Sequence, residues 1–208
     1  MATPRLWIKI CGMTTREAIE AAARAGADAV GFVFCAASPR NLAVEAAREL
    51  QSSVPAGIER VAVFLHPEQE LVDAVVEALR PDWLQTDIGD LATLRVPAGQ
   101  RVLPVLRSGG TLPAPLPRRC LLESARSGVG ARADWAEAAR VAAATQVVLA
   151  GGLDERNVAE AVRSVRPFGV DVSSGVEASR GVKDVARIRE FIRAARAAES
   201  FRVVEESR

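Results

Sequence analysis

Short apolar, β-branched runs alternate with helical patterns along the whole 208-residue chain, and this alternation limits the fold more than any other feature. The strand-like runs are Leu6–Cys11, Ala29–Phe34, Arg60–Leu65, Asp82–Thr86, Arg101–Leu106, Arg119–Glu123, Val147–Ala150 and Phe168–Val172. Helical patterns cover Arg16–Arg24, Val44–Leu50, Glu68–Leu79, a short piece around Asp90–Leu94, Trp135–Ala144, Glu155–Val165 and Lys183–Ala197. Thr15 is placed to cap the first helix and Gly26 to close it. Ser108–Pro117 holds three prolines and two glycines, so any fifth helix is rudimentary. A glycine-containing loop, Ser124–Arg132, follows the sixth strand. Near-continuous apolar strands suit a parallel sheet buried on both faces. Eight units in 208 residues make a lean version of the (β/α)₈ barrel, which typically takes about 250 residues. The competing open, doubly wound sheet lacks its Gly-x-Gly-x-x-Gly signature after the first strand. The predicted fold is therefore α/β: a single compact (β/α)₈ TIM barrel over residues 1–198. A polar tail, residues 199–208, is expected to fray.

Composition narrows the chemistry. The net charge is +1 and no basic stripe or charge block appears, which argues against nucleic acid or a membrane surface as partner. No window approaches 18 uninterrupted apolar residues and no apolar leader opens the chain, so a soluble, cytoplasmic protein is expected. No exposed hydrophobic element stands out, and a monomer is the expectation. Three cysteines, Cys11, Cys35 and Cys120, make neither a disulfide framework nor a metal-ligand spacing. With one histidine, His66, a multi-histidine metal site is excluded. Acid–base work falls to carboxylates, cysteine or lysine.

Barrel active sites sit where strands end, which singles out Cys11, Arg40 in the loop after strand two, Asp87, Glu123, Asp171 and Ser173. Side chains alternate along a strand, so Lys9 and Cys11 share the face opposite Ile8 and Ile10. With Cys11 at the barrel mouth, Lys9 lies one layer below, where its cation would favour a proton-accepting thiolate. The alternative is that Cys11 only packs, as Cys35 and Cys120 are expected to do. Glu123 at a mostly apolar rim could stay protonated as a general acid, or be a solvated loop residue. Arg40 could hold a substrate carboxylate with its two-pronged guanidinium, or be a surface charge. Asp171 on strand eight adjoins strand one in a closed barrel, so an Asp171–Lys9 contact could be purely structural. His66 before Pro67 reads as a helix start. Finally, Val147–Ala150 runs into Gly151-Gly152-Leu153-Asp154, and Phe168–Val172 into Ser173-Ser174-Gly175-Val176-Glu177. Glycines admit a ligand close to the backbone, and helix starts favour an anion. The pair could clamp one phosphate, or be two ordinary strand–helix turns.

These residues resemble a known family. Lys9-Ile10-Cys11-Gly12-Met13-Thr14, Gly26 to Phe34 with Ser38-Pro39-Arg40, Gly151-Gly152-Leu153, and Val170 to Glu177 with Gly181-Val182-Lys183-Asp184 are similar, in this order, to phosphoribosylanthranilate isomerase of tryptophan biosynthesis. The resemblance runs from about residue 6 to 196. It implies an Amadori rearrangement of a small phosphoribosyl substrate, N-(5-phosphoribosyl)anthranilate, with no cofactor or metal. It implies Cys11 as general base and Glu123 as general acid, at a position where the family has aspartate. Arg40 would contact the anthranilate carboxylate, Gln85 and Asp171 would support substrate binding, and Gly151, Gly152, Ser173 and Ser174 would hold the phosphate. Gln85 matches a Gln-Leu-His run of the family, and Asp87 falls where its histidine would be. Two competing expectations are the related isomerase of histidine biosynthesis, which typically uses an aspartate pair, and a non-catalytic phosphosugar-binding barrel.

Overall fold

The computed structural model describes residues 5–124 and 133–205; most of the expected Ser124–Arg132 loop, including Gly128 and Gly130, lies outside them. Eight parallel strands close into a barrel in chain order: β1 (Trp7–Cys11), β2 (Ala29–Phe34), β3 (Glu59–Phe64), β4 (Trp83–Asp87), β5 (Arg101–Arg107), β6 (Arg119–Glu123), β7 (Gln146–Leu149) and β8 (Gly169–Val172). Pairing of β8 with β1 sets Lys9 beside Asp171 at the closing seam. Around it lie helices α1 (Arg16–Ala25), α2 (Val44–Gln51), α3 (Gln69–Leu79), α4 (Trp135–Ala142), α5 (Val158–Val165) and α6 (Val185–Glu205). Thr15 accepts a hydrogen bond from the Ala18 amide, and Gly26 ends α1 in the left-handed conformation at φ 93°, as cap chemistry requires. A 3₁₀ turn, Ile88–Ala92, stands after β4, and no α-helix forms between β5 and β6.

Period-two alternation divides the core. Ile8 and Ile10 face outward into the shell shared with the helices, where Ile19, Val72, Val162 and Phe191 also pack. Trp7, Ala29, Val61, Trp83, Leu103, Leu121 and Val148 fill the barrel interior. Both indoles donate to one Glu59 oxygen at 3.0 Å, so the aromatic filling carries no orphaned N–H.

Three expectations change. The tail boundary at 199 falls inside α6: Glu199 accepts from the Leu6 amide at 2.6 Å, and Arg196 reaches Asp28 at 2.6 Å, tying this helix to the start of β1. Lys183 is not helical; Glu177–Ser179 and Val182–Lys183 form a small antiparallel hairpin, β9 and β10. The hairpin turns at Gly181, φ 86°, and Asp184 caps α6 by accepting from the Ala186 and Arg187 amides. Finally, α5 starts at Val158 rather than Glu155, because the Asp154 carboxylate accepts from the Arg156 and Asn157 amides and holds a turn there.

Candidate active site

The C-terminal strand ends enclose a cavity of about 270 Å³. Nine of the sequence-predicted site residues line it: Cys11, Arg40, Gln85, Glu123, Gly151, Gly152, Asp171, Ser173 and Ser174. Asp87 does not; it turns to Arg107. His66 is exposed and pairs with Asp90 at 2.7 Å, where it braces the loop after β3. Cys120 is core, its thiol pushed up to about 11 by burial, whereas Cys35, expected to pack, is half-buried and borders the cavity.

At the seam, the fully buried Lys9 ammonium lies 2.8 Å from Asp171. Burial pulls this ammonium down, but Asp171 and Cys11 outweigh it and hold Lys9 above its ordinary value. Removing either charge would leave its partner alone in the barrel, at a cost of about 3–5 kcal/mol. The expected thiolate is not what results. Burial pushes the Cys11 thiol up, and the opposing pull of Lys9 does not compensate, because Asp171 adds a further push in the same direction as burial. Gly31, opposite Cys11 on β2, makes this arrangement possible: a Cβ there would meet the Cys11 sulfur at 2.9 Å and Lys9 Cε at 3.1 Å.

Glu123 has a different setting from the apolar rim anticipated. Arg107 stands directly opposite it across β5 and β6, with Nη1 3.1 Å from Glu123 Oε1. The same guanidinium bonds Asp87. Strand register thus gives Asp87 its role, as the second anchor of the arginine that holds Glu123.

Arg40 is buried, and its Nε and Nη2 donate to the two Glu177 oxygens at 2.6 and 2.8 Å. Lys183 donates to Glu177 at 2.8 Å and to the Ser173 carbonyl at 2.8 Å. Burial pushes Glu177 up, yet its Arg40, Lys183 and Gly181 donors prevail and bring it down to about 2. Its stabilising contribution is therefore present above the ordinary glutamate range and is lost only as pH falls toward 2. Sequence reasoning gave Glu177, Lys183 and Arg107 no role; Glu177 and Lys183 stand in the motifs that carry the family resemblance, but their pairing with Arg40 depends on the hairpin.

The two turns meet. A Cβ on Gly175 would lie 1.9 Å from the Leu153 carbonyl oxygen, so glycine lets the β8 turn rest on the β7 turn. Asn157 braces the latter, donating to the Gly152 carbonyl at 2.8 Å and accepting from the Asp154 amide at 3.0 Å. Gln85 Oε1 is buried with no hydrogen-bond partner among the described residues. No three His, Cys, Asp or Glu side chains converge as a metal site would require, again among the described residues.

Known proteins share this architecture and its sequence. Residues 8–104 and 113–194 match the family model for N-(5'-phosphoribosyl)anthranilate (PRA) isomerase. A Rhodopseudomonas palustris N-(5'-phosphoribosyl)anthranilate isomerase is 42% identical over 210 residues, covering 92% of this chain and 98% of that protein. A crystal structure of phosphoribosyl anthranilate isomerase in complex with reduced 1-(o-carboxyphenylamino)-1-deoxyribulose 5-phosphate superimposes with a TM-score of 0.77. It is 31% identical and covers 93% of this chain and 100% of its own. Monomers derived from the dimeric Thermotoga maritima enzyme superimpose at 0.76, also 31% identical, over 93% and 100%. With the strand-end residues gathered on one cavity and the match spanning nearly every βα unit, the chain belongs to the N-(5'-phosphoribosyl)anthranilate isomerase family.

Proposed function

We propose that the chain converts N-(5-phosphoribosyl)anthranilate to 1-(2-carboxyphenylamino)-1-deoxyribulose 5-phosphate, in tryptophan biosynthesis. The observation that carries this reading is the opening of Cys11 and Glu123 onto one cavity whose wall includes both touching turns. Glu123 gives its proton to the ribose ring oxygen; the C1–O bond breaks, and the anilino nitrogen lone pair forms the iminium. Cys11, as thiolate, takes the C2 proton, and the resulting enolamine tautomerises to the ketone. Protons gained and lost balance, and the substrate nitrogen is the electron sink. Gly151, Gly152, Ser173 and Ser174 hold the phosphate, Arg40 the carboxylate. The unpartnered Gln85 oxygen accepts from a ribose hydroxyl, since a buried acceptor left alone costs about 1–3 kcal/mol. Asp171 supports the site by fixing Lys9 under Cys11.

The purified protein, given N-(5-phosphoribosyl)anthranilate with a chelator present, is expected to turn it over, followed by loss of substrate fluorescence. Binding of the reduced product without turnover would reduce the protein to a phosphosugar-binding barrel.

The same reading places it in the cytoplasm as a single chain. No helix among the described residues is long and apolar enough to cross a membrane, and the only exposed large hydrophobic among them is Val182. Cell fractionation and sedimentation should find it in the cytoplasmic fraction at the mass of one chain; a dimer, as in the Thermotoga maritima relative, would correct this.

A further inference from the structure

Glu177 is the most heavily bonded carboxylate near the cavity, yet no step of the reaction uses it. Its Oε1 accepts from Arg40 Nε at 2.6 Å and Lys183 Nζ at 2.8 Å; its Oε2 accepts from Arg40 Nη2 at 2.8 Å and the Gly181 amide at 3.0 Å. Each oxygen thus takes two donors, and the residue is only 5% exposed. A buried carboxylate is tolerated only with such pairing, and a two-pronged contact fixes the plane of a guanidinium as well as its position. Two of the five Arg40 N–H groups are thereby spent, and no described residue accepts from Nη1. Lys183 extends the arrangement: Nζ also reaches the carbonyl and hydroxyl of Ser173 at 2.8 and 3.3 Å, at the start of the β8 turn. The hairpin tip bearing these groups packs on the Arg40 loop, where a Cβ on Gly181 would lie 2.9 Å from the Pro39 carbonyl oxygen.

We propose that Glu177 is a positioning residue for the substrate carboxylate: it turns Arg40 so that the Nη1 side receives that group. This rests on the function proposed above. A glutamine keeps the shape of the side chain but offers one acceptor oxygen to four donors.

The test compares N-(5-phosphoribosyl)anthranilate with N-(5-phosphoribosyl)aniline, which lacks the carboxylate. Glu177→Gln is expected to raise KM for the first by roughly 10–100-fold, the range for a lost charged hydrogen bond, and to leave kcat/KM for the second within about 3-fold. In an Arg40→Ala background the same change should add no further loss of preference, because the two residues act as one unit. Equal losses for both substrates, or additive losses with Arg40→Ala, would overturn the proposal. A crystal structure of the unaltered protein with reduced 1-(o-carboxyphenylamino)-1-deoxyribulose 5-phosphate decides the matter even if the variant does not fold. The Arg40–Glu177 fork should persist with the ligand carboxylate on Nη1; a ligand carboxylate that displaces Glu177 from the fork would refute it. Failure of the unaltered protein to turn over the anthranilate substrate would remove the functional reading itself, an outcome distinct from any of these.

Discussion

Alanine at position 11 is expected to lower kcat by roughly 10²–10⁴-fold, the usual share of a positioned general base, while the fold survives. The side chain removed is one buried sulfur at the barrel mouth, worth about 1 kcal/mol, which for a domain of this size moves Tm by about 2–4 °C. The pH profile identifies the group. Burial pushes the Cys11 thiol above its ordinary value, against the pull of Lys9, so the thiolate is the minor form at neutral pH. Because the acting form is the deprotonated one, kcat/KM should climb with pH through the alkaline range, reporting the free enzyme. Lys9 stays charged over that range, since it is held above its ordinary value. The rising limb should be absent from the residual activity of Cys11→Ala. A Cys11→Ala protein with near-normal turnover would remove the thiol from the mechanism.

Loss of the acid should be as severe. Glu123→Ala is expected to cost about 10²–10⁴ in kcat, with KM changed far less, because a proton donor acts in the transition state rather than in ground-state binding. Arg107 retains Asp87 as a partner, so its charge is not abandoned and the barrel should keep its thermal stability within a few degrees, checked by calorimetry. Glu123→Asp asks a finer question. The carboxyl would withdraw by about 1.5 Å, one C–C bond, from an arginine now set for the longer arm at 3.1 Å. A misplacement of that order costs about 10²-fold. Full activity in the aspartate variant would mean that Arg107 does not set the reach of the acid.

The expectations that held and those that failed divide along sequence distance. Cap residues, strand alternation and the placement of Cys11 above Lys9 depend on neighbours a few positions away, and Thr15, Gly26, Ile8 and Ile10 stand where pattern alone puts them. The Lys9–Asp171 contact spans 162 residues, yet it was legible, because barrel closure brings strand eight beside strand one and the pleat does the rest. Gathering Arg40 and Glu123 on one cavity followed from the same rule, whereas Gln85 entered through the family resemblance and Asp87, which the rule singled out, turned away to Arg107. The partner of each charge did not follow from it. Arg107 opposite Glu123 is a matter of strand register, and Glu177 beneath Arg40 depends on a hairpin folding back over a loop 137 residues earlier in the chain.

What the sequence determined by itself was the eight-unit barrel and the strand ends that build its mouth, since both follow from periodicity. What only the tertiary structure decided was the electrostatic state of those side chains. Burial of Cys11, the Arg107 contact of Glu123 and the four donors around Glu177 are sums over atoms brought together by folding. Charge interactions vary with distance and with exclusion of water, and neither quantity exists until the chain has closed on itself.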